Sequence, residues 1–156
     1  MGFLFDSLEV YKRAVRRSNG TVDQLNIGAR DIRKAMGFMF ENLEVYRRAV
    51  DLAEKISGLT ERFPAKRHTH LADQLRRASL SVSLNIAEGN GRWHAKERKN
   101  FFWIARGSVF ECVPLLELCR REKLIAEQDH ADLKAELEIL ARMLSALIKG
   151  TEKREQ

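Results

Sequence analysis

The sequence predicts an all-α protein, an antiparallel up-down four-helix bundle with an extra N-terminal helical extension. Three observations predict it. Apolar residues recur at steps of three and four along four long segments. Only two prolines fall in 156 residues. The breaks between segments are short, and the first two carry glycine or the pair Phe63-Pro64, where the residue before proline is pushed out of the α region.

The chain opens on a repeat. "GFLFDSLEVYKRAV" at Gly2 returns as "GFMFENLEVYRRAV" at Gly37, with ten of fourteen positions identical. The second copy runs on through "DLAEKISG", whereas the first meets the stop signal Ser18-Asn19-Gly20 after barely three turns. A helix that short is marginal on its own in water. The second copy is therefore expected to be a bundle helix and the first a partial duplicate of it. The expected organisation is an N-terminal extension over 1–35, the bundle over 36–150 and a C-terminal tail over 151–156. The first copy either lies loosely on the bundle or competes for the groove made for the second.

Four helices follow in order. The first spans about 43–57, with Asn42 as N-cap, Gly58 near its end, and Leu43, Tyr46, Ala49/Val50, Ala53 and Ile56 as its apolar stripe. The second spans about 68–88 and is expected to stop at Gly89 and Gly91. The third spans about 94–122, with Phe102, Ala105, Val109, Cys112/Val113, Leu116 and Cys119 facing inward and a kink at Pro114. The fourth spans about 128–149 on a seam of Leu133, Leu137, Leu140, Leu144 and Leu147.

The second helix carries no charge from Ala78 to Ala87. One stripe, Leu75, Ala78, Val82 and Ile86, reads as core. A second, Leu80, Leu84 and Ala87, points well away from it, and a lone bundle buries only one face of each helix. That second stripe is expected to be a homo-oligomer interface. Asn85, Glu88, Arg106, Ser108 and Glu111 are expected at one level of the second and third helices. They read as a structural polar cluster that fixes helix register.

Charge is concentrated mid-chain. The whole sequence is +6, yet Arg62–Arg106 alone holds ten Lys/Arg against three Asp/Glu. This points to a polyanionic partner, with Arg76, Arg77, Arg92, Lys96, Arg98, Lys99 and Arg106 as the candidate nucleic-acid contacts. Trp93 stands beside them for stacking on a base or packing on the helix. The alternative is a scaffold or adaptor whose basic face meets an acidic protein.

Catalytic and metal chemistry find no support. His68, His70, His94 and His130 lack metal-ligand spacing to Cys, Asp or Glu. Glu127 and His130 make one Glu-x-x-His, where helical metal sites need two. "GNG" lacks the Lys-Ser/Thr of a phosphate loop. The reading is a protein that is not an enzyme, with no cofactor and no metal. Cys112 and Cys119, seven apart on one helix, are too distant for a disulfide and read as buried thiols of a reducing cytoplasm. No segment reads as a signal peptide or a membrane span.

The segments "FENLEVYRRAVDLAEKI", "FP", "LADQLRRASLSVSLNIAEGNGR" and "ERKNFFWIARGSVFECVPLLELCRREKLI" together resemble the bacterial four helix bundle protein family, also called the 23S rRNA intervening-sequence protein family. It is related to the accessory variability determinant proteins of diversity-generating retroelements. The resemblance covers about 38–150. It implies a homopentameric barrel with a basic surface, and relatives that act with a reverse transcriptase and nucleic acid. The family usually has proline before "NIAEG", where this chain has Ser83, and residues 1–35 lie outside its pattern.

Overall fold

A computed structural model of the chain describes residues 38–64 and 68–152. The chain divides between Asn42 and Leu43 into two units. Of the first unit, the described part is a 3-10 turn over Met39–Asn42, with the Phe38 and Phe40 rings stacked 5.5 Å apart. Residues 1–35 and 153–156 lie outside the described residues, whereas Thr151 and Glu152, expected in the C-terminal tail, belong to the last helix.

The second unit is a four-helix bundle: α1 (Glu44–Thr60), α2 (Thr69–Gly91), α3 (Ala95–Arg121) and α4 (Glu127–Glu152). Each helix packs on the next in sequence, and α1 closes the bundle against α4. Hydrogen bonds give the antiparallel register. Gln74 and Ser81 of α2 meet Glu111 and Ser108 of α3, and Arg106 of α3 meets Ser145 of α4.

The core is one cluster. It takes Val45, Ala49, Leu52 and Ile56 from α1, and Leu75, Ala78, Val82 and Ile86 from α2. From α3 come Ala105, Val109, Cys112, Leu116 and Cys119, and from α4 Leu133, Leu137, Leu140 and Leu144. The α2 core stripe is the expected one. In α3 the expected inner face is buried apart from Val113, which is 37% exposed.

Several local expectations are corrected. Asn42 closes the 3-10 turn, so the α1 N-cap is Leu43, without a side-chain cap bond. The α1 stripe centres on Val45 and Leu52, while Val50 is exposed. Two apolar stripes run side by side on α1, and packing against α2 and α4 chose between them. On α4 the buried residue after Leu144 is Ile148, with Leu147 only partly buried. The last step is therefore four residues rather than three, the drift expected of a helix turning every 3.6 residues.

Gly58, Gly89 and Gly150 all lie within helices. Gly89 has a packing role, because a Cβ there would stand 2.7 Å from Cε1 of buried Phe102. The true stop after α3 uses no glycine. Lys123 adopts φ 58°, and Leu124 N–H donates to Cys119 O (2.9 Å) while Lys123 N–H donates to Arg120 O (3.0 Å). That is a Schellman closure with a lysine in the left-handed position. Helix α3 runs through Pro114, and α2 runs unbroken through Ser83, whose hydroxyl donates to Leu80 O.

Candidate nucleic-acid interface

The two outer stripes of α2 and α3 follow from what lies inside. Once Val82 and Ile86 face the core, helical geometry turns Leu80 and Leu84 outward, and they are 50% and 59% exposed. On α3, burial of Phe102, Ala105 and Val109 turns out a face on which Lys96, Lys99, Trp103, Arg106, Phe110 and Pro114 follow at steps of three and four. Trp103 and Phe110 are 48% and 52% exposed, and the stripe from Lys96 to Pro114 holds no carboxylate. Core periodicity alone does not mark these two aromatics. Their offset from Phe102 and Val109 by one residue is the signal that they face solvent.

The seven candidate cations divide into three groups. Arg77 and Lys96 are exposed and make no ion pair among the described residues. Arg76, Arg92 and Arg98 are engaged locally. Arg76 pairs with Asp73 at 2.9 Å, and Arg92 pairs with Glu88 and lies 4.8 Å from the Phe101 ring centre. Arg98 donates to Arg92 O at 3.0 Å, which ties it to the α2–α3 turn. Lys99 is half-buried and Arg106 turns toward α4, donating from Nε to Ser145 Oγ at 3.0 Å. The guanidinium of Arg106 stands 5.4 Å from the Trp103 ring centre and 4.6 Å from that of Phe110.

The expected polar cluster separates in the same way. Asn85 donates to Ser81 Oγ at 3.0 Å, Ser81 and Ser108 hydroxyls are 2.8 Å apart, and Ser108 donates to Ile104 O at 3.1 Å. With those two ends fixed, Ser81 is the donor to Ser108, and each member has its partner. This chain pins α2 to α3. Glu88 is taken by Arg92 and Glu111 by Gln74, while Arg106 lies on the opposite side of α3.

Elsewhere, Glu117 accepts from both Arg120 and Arg121, and these bonds hold its carboxyl down to about 2. Cys112 and Cys119 are free and buried, and burial pushes their thiols up to about 12 and about 11. Among the described residues, no group of three or more His, Cys, Asp and Glu is placed to hold a metal ion. No described helix is long and apolar enough to cross a membrane.

Fold and surface together define a helical-bundle protein whose distinguishing features lie on the outside of α2 and α3. Residues 41–146 match the model of the 23S rRNA-intervening sequence protein family, and the chain belongs to that family. A crystal structure of a protein of unknown function from the S23 ribosomal protein family of Bacteroides thetaiotaomicron has the same fold. Its TM-score is 0.63 at 20% identity, covering 67% of this chain and 98% of that one. No curated protein matches the sequence.

Proposed function

We propose that this protein is a non-catalytic homo-oligomer that binds nucleic acid through the outer face of α3. One observation carries the reading. From Lys96 to Pro114 the described residues at steps of three and four interleave cations with half-exposed aromatic rings, and none of them is Asp or Glu. Cations track a phosphate backbone, and rings offer contact to bases without demanding a sequence. The family description refers to 23S rRNA, which makes RNA the first ligand to try.

Assembly is assigned to Leu80, Leu84 and Ala87 of α2, with a pentameric ring as the expected closure by family resemblance. A ring repeats a weak patch, so simultaneous contacts raise avidity without new chemistry. A protein partner such as a reverse transcriptase, implied by the same resemblance, would meet the basic surface. The buried free thiols fit a reducing compartment, and we place the protein in the cytoplasm.

The test is fluorescence anisotropy with labelled RNA, single-stranded DNA and duplex DNA between roughly 50 and 200 mM salt. Phosphate contacts dominate at the low end, and the duplex log–log slope should be about −0.9 per phosphate neutralised. Replacing Lys96 with alanine should flatten the slope while light scattering shows the oligomer unchanged. Absence of binding to all three ligands at roughly 50 mM salt would return the basic face to an acidic protein partner.

A further inference from the structure

Arg106 differs from the other half-buried arginines of the bundle. Arg48, Arg76, Arg92 and Arg120 each have a carboxylate partner, and Arg98 donates to a backbone carbonyl. Among the described residues, Arg106 has one hydrogen bond, from Nε to Ser145, and no carboxylate. Ser145 in turn donates to Ala141 O at 2.7 Å, so its oxygen is oriented to accept from Arg106. The side chain is thus held by its inner nitrogen, and its two terminal amino groups have no partner among the described residues. Two half-exposed rings flank the guanidinium, three residues before it and four after it.

We infer that Trp103, Arg106 and Phe110 form a site for one nucleotide unit of an unpaired strand, with a phosphate on the guanidinium and a base stacked on a flanking ring. The inference rests on the nucleic-acid reading of the same face and names which nucleic acid it takes. A guanidinium offers a phosphate two parallel N–H donors, and that geometry is strongest where a counter-charge is missing. The rings are seven residues apart, about 10 Å along the helix axis. Bases of a duplex strand follow at about 3.4 Å and are closed in their stack. A single strand can splay its bases and turn one onto either ring. Lys96 lies two to three turns before Arg106 on α3, and Lys149 lies one turn beyond Ser145 on α4; both are exposed, ready for neighbouring phosphates.

The full chain is tested against a fluorescein-labelled 20-nucleotide oligouridylate and a 20-base-pair duplex. Phe110→Ala should weaken the single strand by about tenfold, the scale of one stacked base, and leave the duplex within about twofold, since a duplex meets only the phosphate-binding cations. Arg106→Lys keeps the charge but loses the paired donors, and should weaken the single strand without changing the helical signal. In a Trp93→Phe background Trp103 is the remaining tryptophan, and its emission should be quenched by the single strand and not by the duplex. Equal binding of both ligands, untouched by Phe110→Ala and without quenching, overturns the nucleotide site while leaving backbone binding standing. No binding of either ligand, with capture of polyglutamate instead, overturns both.

Discussion

The α1–α4 side and the α2–α3 side of the bundle bury similar faces and expose different ones. On α1 and α4 the outer surface is charged. Glu44 pairs with Arg47 and Arg48, and Arg48 reaches both oxygens of Glu136 at 2.9 and 3.0 Å. Val50 is the sole large exposed apolar residue described on those two helices. On α2, α3 and the turn between them, Leu80, Leu84, Trp93, Trp103, Ile104, Phe110, Val113 and Leu118 are all exposed. Exposed apolar patches of that extent are the kind that mark interaction surfaces, and this contrast is what motivates placing the proposed contacts on α2 and α3. Overall hydropathy averages the two sides and hides the difference.

The sharpest way to break this comparison is to charge each side in turn. Leu84→Asp would bury a lone carboxylate in the proposed interface, which costs several kcal/mol per subunit. Light scattering should show a fall to smaller species with helical content retained, because Leu84 is exposed in the single chain. Val50→Asp should leave the mass unchanged and alter stability by no more than about 0.5 kcal/mol. Equal behaviour of the two variants would erase the distinction between the sides.

A second contrast uses glycines. Gly89→Ala would drive a methyl group against the Phe102 ring and within 3.1 Å of Phe101 Cβ. Thermal melting should show a loss of about 1–3 kcal/mol, the usual cost of overpacking. Gly58→Ala on α1 meets nothing within 4 Å, and should gain up to about 1 kcal/mol from helix propensity. Opposite signs from one substitution would locate the close helix approach at α2–α3.

The smallest expected effect concerns acid. The Glu117 carboxyl is held down from 4.5 to about 2 by its bonds to Arg120 and Arg121. Its stabilising contribution is present above the unfolded value of 4.5 and is lost as pH falls toward 2. Denaturant melts taken over that interval should decline more gently for Glu117→Gln than for the wild type. Identical slopes would mean that this exposed pairing contributes nothing, as surface ion pairs often do.

Much of this was legible in the chain before folding. The four helices, their order, the α2 core stripe and the buried cysteines follow from periodicity, which neighbouring residues on one helix decide among themselves. The α1 stripe was misplaced because Tyr46–Ala53 and Val45–Leu52 keep equally good spacing. The polar cluster was over-gathered because Arg106 and Ser108 are near in sequence yet lie on opposite sides of α3. Spacing alone does not single out Trp103 and Phe110, because an aromatic residue in a helix is more often core than surface.

By itself, the sequence determined an all-helical chain with four amphipathic segments, an uncharged stretch on the second and a concentration of basic residues at its centre. These are properties of local spacing and composition, and they survive whatever the helices pack against. Only the tertiary structure decided which stripe of α1 is buried, that Gly89 makes room for Phe102, and that Arg106 is anchored by Ser145 between two rings. Each of these depends on what a second helix places opposite, and residues far apart in sequence reveal that pairing only once they are packed.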